Sequence, residues 1–270
     1  MTRPASVGTT ILLAAAGYAV ARAVRRAHLT GRFPAGSARW ERANHAGEPL
    51  TLTEGVALAA GAGLPLVVAD PPAALAVAGA ALAGAADDLG ESTQAKGLRG
   101  HLAALRAGRL TTGMLKMGAL GATGLTSTVW ADHRAGRGVG LNTLAGAGLV
   151  AGGANLANLF DLRPGRALKV GLACGIPLLL SGRPAAATVT GAGLAVLPDD
   201  LAARAMLGDT GANPLGAAVG AAAAQHLAPR GRWAGLAVVT GLTLLSERVS
   251  FTQVIEDSRV LRRLDAWGRG

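Results

Sequence analysis

Long runs of apolar residues, broken by short polar turns on one side and longer arginine-rich loops on the other, alternate along the whole chain. A bilayer-spanning helix needs roughly 20 consecutive apolar residues. Runs near that length occupy residues 7–24, 52–69, 73–86, 112–130, 141–160, 167–180, 185–197, 211–227 and 233–245. Together they predict an all-α fold, a polytopic membrane bundle of about nine transmembrane helices formed from residues 1–270 as a single domain.

The loops predict an orientation. Asp70-Pro71-Pro72, Ser181-Gly182-Arg183-Pro184 and Pro229-Arg230-Gly231 are short turns, whereas the alternate loops are long and basic. Cytoplasmic loops carry an excess of Lys and Arg. Assigning the long loops to the cytoplasm puts 20 of the 26 Lys and Arg there and leaves Arg3, Arg134, Arg137, Arg183, Arg230 and Arg232 outside. The amino terminus is then external and the carboxyl terminus cytoplasmic. Arg22, Arg25 and Arg26 follow the first apolar run and Arg3 alone precedes it, which argues against a cleaved secretory leader. Trp130 and Trp233 fall at outer span ends, as in an interfacial belt.

Two segments between or after the spans are amphipathic. Leu98, Leu102 and Leu105 share a helical face opposite Arg99, Arg106 and Arg109, and Val260, Leu264 and Trp267 share another near the end. Each reads either as a helix lying on the membrane surface or as one packed on neighbouring loops.

Composition agrees with a lipid setting: 50% of residues are hydrophobic, 16% are charged, and mean hydropathy is +0.37. The 40 glycines and abundant alanines suit close helix packing. A net charge of +10 raises the question of nucleic acid, but the basic residues lie between apolar runs and aromatics reach only 3%, too few for base-stacking platforms. Cys174 is the sole cysteine, so neither an intrachain disulfide nor a cysteine metal cluster is possible.

Against this background the acids stand out. Asp87 and Asp88 end the third run, Asp161 ends the fifth, and Asp199, Asp200 and Asp209 flank the start of the eighth, all on the predicted cytoplasmic side. Ionisable groups at such positions are costly and mark function. Carboxylates converging from separate spans would hold a hard cation such as Mg²⁺ together with phosphate oxygens. Asn155, Asn158 and Asp161 recur every third residue and so occupy one flank of a helix. His45, Lys96, Arg99, His101, Lys116, Arg163 and Arg166 could clamp a diphosphate, with Lys116 foremost because it lies just inside a span.

The ordered set Asp87-Asp88, Asn155-Leu-Ala-Asn158-Leu-Phe-Asp161 and Gly208-Asp209-Thr210-Gly211-Ala212 resembles the polyprenyl-phosphate N-acetylhexosamine-1-phosphate transferases. That family includes the phospho-N-acetylmuramoyl-pentapeptide transferase of peptidoglycan synthesis and enzymes that begin teichoic acid and surface polysaccharide synthesis. Arg42-Ala-Asn-His45-Ala-Gly-Glu-Pro49 and Lys96-Gly97-Leu98 are similar to further family segments. The resemblance implies an Mg²⁺-dependent enzyme of the plasma membrane that acts on a polyprenyl phosphate and a UDP-sugar and releases UMP. It implies Asp209 and Asp88 as metal ligands and Asp87, Asp88 and Asp161 as catalytic acids. His45, Lys96, Lys116, Asn155 and Asn158 would bind substrate, and a homodimer is compatible.

Three features depart from the pattern. Glu54-Gly55 stands where the family has paired glycines, Leu162 follows Asp161 in place of a glycine, and Arg262-Arg263-Leu264-Asp265 occupies the position of a histidine cluster. The family also commonly has one more span. A non-catalytic relative that binds lipid phosphate or an envelope-assembly partner, and a membrane transporter, are therefore the competing readings.

Overall fold

The computed structural model describes residues 4–33, 36–43, 49–90, 100 and 104–269. Twelve α-helices account for most of them: α1 (Val7–Leu29), α2 (Thr53–Gly63), α3 (Leu66–Ala69), α4 (Pro71–Leu89), α5 (Thr112–Arg134) and α6 (Leu141–Phe160). After these come α7 (Arg166–Leu180), α8 (Pro184–Leu201), α9 (Gly208–His226), α10 (Pro229–Ser246), α11 (Phe251–Asp257) and α12 (Arg259–Ala266). Each apolar run in the sequence is helical, although the second breaks at Leu64-Pro65 into α2 and α3. Proline lacks the N–H that would continue the ladder and its ring crowds the preceding turn.

Three helices, α1, α4 and α6, are long and apolar enough to cross a membrane. The pair α10 and α11 passes the same test jointly but is bent by 90°. The remaining runs are diluted by glycine, threonine and proline, so that α9, for example, is helical without being strongly apolar.

Packing centres on α9, which contacts α2, α4, α5, α6, α7 and α8. Its buried residues are nearly all small: Gly211, Ala212, Gly216, Ala217, Ala218, Gly220, Ala221 and Ala222 among them. Small residues let helix backbones approach, the means by which helices associate where lipid tails compete for large apolar side chains. At the α6–α9 crossing a Cβ on Gly216 would lie 2.0 Å from the carbonyl oxygen of Gly153, which only two glycine backbones can avoid.

Many large apolar residues point the other way, although Leu58, Leu66, Leu168 and Leu215 are buried. Val7, Ile11 and Leu12 on α1, Leu82 on α4, Leu141 and Leu144 on α6, Leu180 on α7 and Val238 and Leu244 on α10 are exposed. Contiguous apolar exposure of this extent is foreign to a water-facing monomer. A core rich in alanine and glycine beneath many exposed leucines and valines suits a surround of hydrocarbon.

Polar groups collect at the two ends of α9. Beyond its carboxyl end, Arg232 is buried, donates to both oxygens of Asp132 at 2.8 and 2.9 Å, and caps the carbonyl of Ala224 at 2.7 Å. Thr143 and Arg137 complete the coordination of Asp132, and Gln225 donates to Asp70 at 2.9 Å. Burying an arginine is tolerable here because Asp132 meets it in a two-point geometry and the spare donors find carbonyls.

The tight α6–α9 crossing yields a direct prediction. Replacing Gly216 with leucine should lower stability by about 1–3 kcal/mol or more, read as a fall in the thermal midpoint of the detergent-solubilised protein. The same change at Gly118, where a Cβ meets nothing within 4 Å, should leave the midpoint unmoved.

Candidate active site

The amino end of α9 is where the acids gather. Gly208 begins the helix with φ +57°, a left-handed conformation suited to glycine. Two other glycines let this turn settle: a Cβ on Gly84 of α4 would lie 2.1 Å from the carbonyl oxygen of Asp209, and one on Gly55 of α2 would lie 2.1 Å from that of Leu207. The preceding loop is fixed by a small antiparallel hairpin, β1 (Glu41–Ala43) with β2 (Pro49–Thr51), whose Thr51 carbonyl accepts from the amide of Met206 at 3.1 Å.

Asp88, at the last turn of α4, supplies the cap that α9 lacks in its own sequence. Its carboxylate accepts from the amides of Asp209 at 3.1 Å and Thr210 at 2.8 Å, and from the Thr210 hydroxyl at 2.6 Å. The first amides of a helix are otherwise unsatisfied and carry partial positive charge, so a carboxylate is well placed there. Arg42 of the hairpin in turn donates to the backbone carbonyl of Asp88.

Beside this cap, Lys116 of α5 reaches two carboxylates. Its Nζ lies 3.2 Å from Asp87 and pairs more closely with Asp209. The three side chains come from α4, α5 and α9 and are 36%, 13% and 18% exposed respectively, so that Asp87 is the most accessible and Lys116 the least.

A cavity of about 770 Å³ opens next to them. Asp88, Asp161, Asp200 and Asp209 contribute its acidic side, Arg42 and Arg163 its basic groups, and Leu50, Leu52, Leu159, Leu162 and Met206 an apolar wall. Asp161 caps the end of α6 and accepts from the Gly208 amide. Burial pushes its carboxyl well above the usual range, and repulsion from Asp200 and Asp88 adds to the effect while the Gly208 bond opposes it.

Asp87, Asp88, Asp161 and Asp209 therefore lie at one end of the bundle, with Lys116 between Asp87 and Asp209. Asn158 lines the cavity as well; Asn155, one turn deeper on α6, is half-buried and stands outside the lining. His45, Lys96, Arg99 and His101 fall outside the described residues. Two further acids belong here: Glu54, which the sequence marks only as a departure from the paired glycines, is 2% exposed on α2 and accepts no hydrogen bond among the described residues, and Asp200, which the sequence groups with the other acids without a role of its own, lines the cavity. Glu54 carried a signal, an acid starting an apolar run, but one residue cannot announce which neighbours surround it.

Among the described residues no three His, Cys, Asp or Glu side chains form a ready-made metal cage. Mg²⁺ does not require one, since it uses one or two carboxylates with waters and phosphate oxygens. Asp87 and Asp209 fit that demand, because both already reach a single cationic point at Lys116.

Comparison of the sequence with models of known protein families and with curated proteins finds no match.

The buried Asp161 makes stability depend on pH. In the unfolded chain its carboxyl ionises near pH ~4, whereas in the fold it holds its proton to higher pH, so folding takes up a proton between the two values. Its contribution is fully present at the acid end and is lost as pH rises through the folded pKa. Asp161→Asn should raise the thermal midpoint at neutral pH and flatten this decline; a midpoint unchanged there would contradict the assignment.

Proposed function

We propose that the protein is a polytopic membrane phosphoglycosyl transferase that moves a sugar 1-phosphate from a UDP-sugar, of the N-acetylhexosamine class, to a polyprenyl phosphate. The observation that carries this reading is the meeting of Asp87, Lys116 and Asp209 from three helices at the rim of a cavity that also holds Asp88, Asn158 and Asp161. The ordered motifs supply the substrate class, and the geometry supplies a reason for their order. The proposed topology has nine crossings of the plasma membrane, the amino terminus outside and the cavity on the cytoplasmic side.

In the reaction an oxygen of the polyprenyl phosphate forms a new bond to the β-phosphorus of the UDP-sugar. The bond from that phosphorus to the oxygen bridging to the α-phosphate breaks, and UMP leaves with the oxygen and the electron pair. A phosphate monoester loses its second proton near pH ~6, so the acceptor needs little base assistance at neutral pH.

Asp88 has a different duty, because both its oxygens are engaged in holding the start of α9. It positions Asp209. Lys116, Arg42 and Arg163 neutralise the phosphates, and Asn158 orients the nucleotide end. Mg²⁺, held by Asp87 and Asp209, would supply the further positive charge that an acid-rich cavity needs before it admits a diphosphate. The apolar wall of Leu50, Leu52, Leu159 and Leu162 offers a surface for the first isoprene units.

One observation favours a second reading, a relative that binds lipid phosphate without turnover. The segment that stands in place of the family histidine cluster is structural, with Asp265 paired to Arg166 at 2.8 Å.

Purified protein supplied with Mg²⁺, polyprenyl phosphate and a panel of UDP-sugars should release UMP and form a new glycolipid. Asp209→Asn and Lys116→Met should each reduce turnover by roughly 10²-fold or more, the scale of losing a preorganised charge-stabilising group. Tight binding of polyprenyl phosphate with no UMP from any donor would support the binding-only reading instead, and full turnover by either folded variant would refute these roles.

A further inference from the structure

The last helices carry a surface that neither the fold nor the proposed chemistry explains. Helix α11 departs from α10 at 90°, so that if α10 enters a bilayer α11 runs along its face. Phe251 of α11 stacks on Phe160 at the end of α6, with ring centroids 5.1 Å apart, which fixes this segment at the cavity end of the bundle.

Helix α12 follows after the Ser258 cap and is bound to the protein along one edge. Asp265 receives two bonds from Arg166 at 2.8 and 3.0 Å and a third contact from Arg269 at 3.0 Å. Lys169 donates to the carbonyls of Leu264 and Trp267 at 3.2 Å, and Arg269 donates to that of Pro164 at 2.8 Å. Burial opposes ionisation of Asp265, but the Arg166 bonds and charge, with Arg269, outweigh it and hold the carboxyl below its ordinary range.

The other faces carry exposed side chains, with Arg262 also donating to the Glu256 carbonyl of α11 at 3.3 Å. Val260 is 68% exposed, Leu264 59% and Trp267 76%, side by side on one face. Arg259, Arg262 and Arg263 are exposed on the flank and back of the same helix. Of the nearby acids, Asp265 is turned inward onto Arg166 and Glu256 faces Arg163 at 3.3 Å, leaving Asp257 against three arginines. An apolar face beside an unneutralised basic one is the pattern of a helix that seats at the headgroup boundary of a charged membrane.

We propose that α12 docks onto an anionic phospholipid surface, with Val260, Leu264 and Trp267 inserted at the acyl boundary and Arg259, Arg262 and Arg263 drawn to the headgroups. The Arg166–Asp265 pair then transmits that anchorage to the 163–169 segment, which forms a wall of the cavity through Arg163 and Pro164. This requires α10 to enter the bilayer and is independent of the transferase reading.

The test uses full-length protein bearing Cys174→Ala and Val260→Cys, with an environment-sensitive fluorophore on the new thiol, in nanodiscs of phosphatidylcholine alone or enriched in phosphatidylglycerol. Emission should shift to the blue and be quenched by a lipid-borne spin label in the anionic discs. Each of Arg259→Gln, Arg262→Gln and Arg263→Gln should shift the balance toward the undocked form by roughly fivefold. Water-like emission in both discs, or equal quenching in neutral and anionic discs with the arginine variants silent, would overturn the proposal. So would protection that follows the number of protein copies per disc, which would assign the face to a second copy of the chain.

Discussion

The carboxylate of Asp88 grips the first amides of α9 from a neighbouring helix, and the candidate site is built outward from that contact. Without it the central helix would begin with unsatisfied donors in a crowded interior, since no side chain of its own sequence caps it. With it, Asp209 is delivered next to Lys116, and Gly208 is brought within bonding distance of Asp161. Gly55 and Gly84 make the grip possible by letting α2 and α4 close on the turn.

The same contact shows how an acid-rich pocket can persist at the end of an apolar bundle. Several carboxylates that repel one another are each given a different compensation. Asp88 has helix amides, Asp199 has Arg25 and Arg204, Asp87 and Asp209 share Lys116, and Asp161 has the Gly208 amide and a raised pKa. Among the described residues Glu54 accepts no hydrogen bond. The residual negative character is what makes the cavity receptive to cations and, through them, to phosphates.

At the opposite end of α9, Arg232, Thr143 and Arg137 close a hydrogen-bonded network around Asp132. The two ends thus differ in kind. One is a fastening whose charges are consumed internally, and the other keeps charges accessible beside open volume.

The chain by itself determined which stretches are helical, because the length of each apolar run and the Pro, Gly and Asp residues at its borders act locally. The predicted alternation of spans put Asp87, Asp88, Asp161 and Asp209 on a shared side, and in the fold these acids lie at one end of the helical bundle. What only the tertiary structure decided is the division of labour among them. That Asp88 is a cap, that Lys116 joins Asp87 to Asp209, that Glu54 and Asp200 border the same acidic group, and that Asn155 stands back while Asn158 faces the cavity all depend on which helices touch α9 and at what height. Those contacts are set by glycine-to-backbone approaches between segments far apart in sequence, and a pattern of small residues repeated along nearly every helix does not specify which pairs will meet.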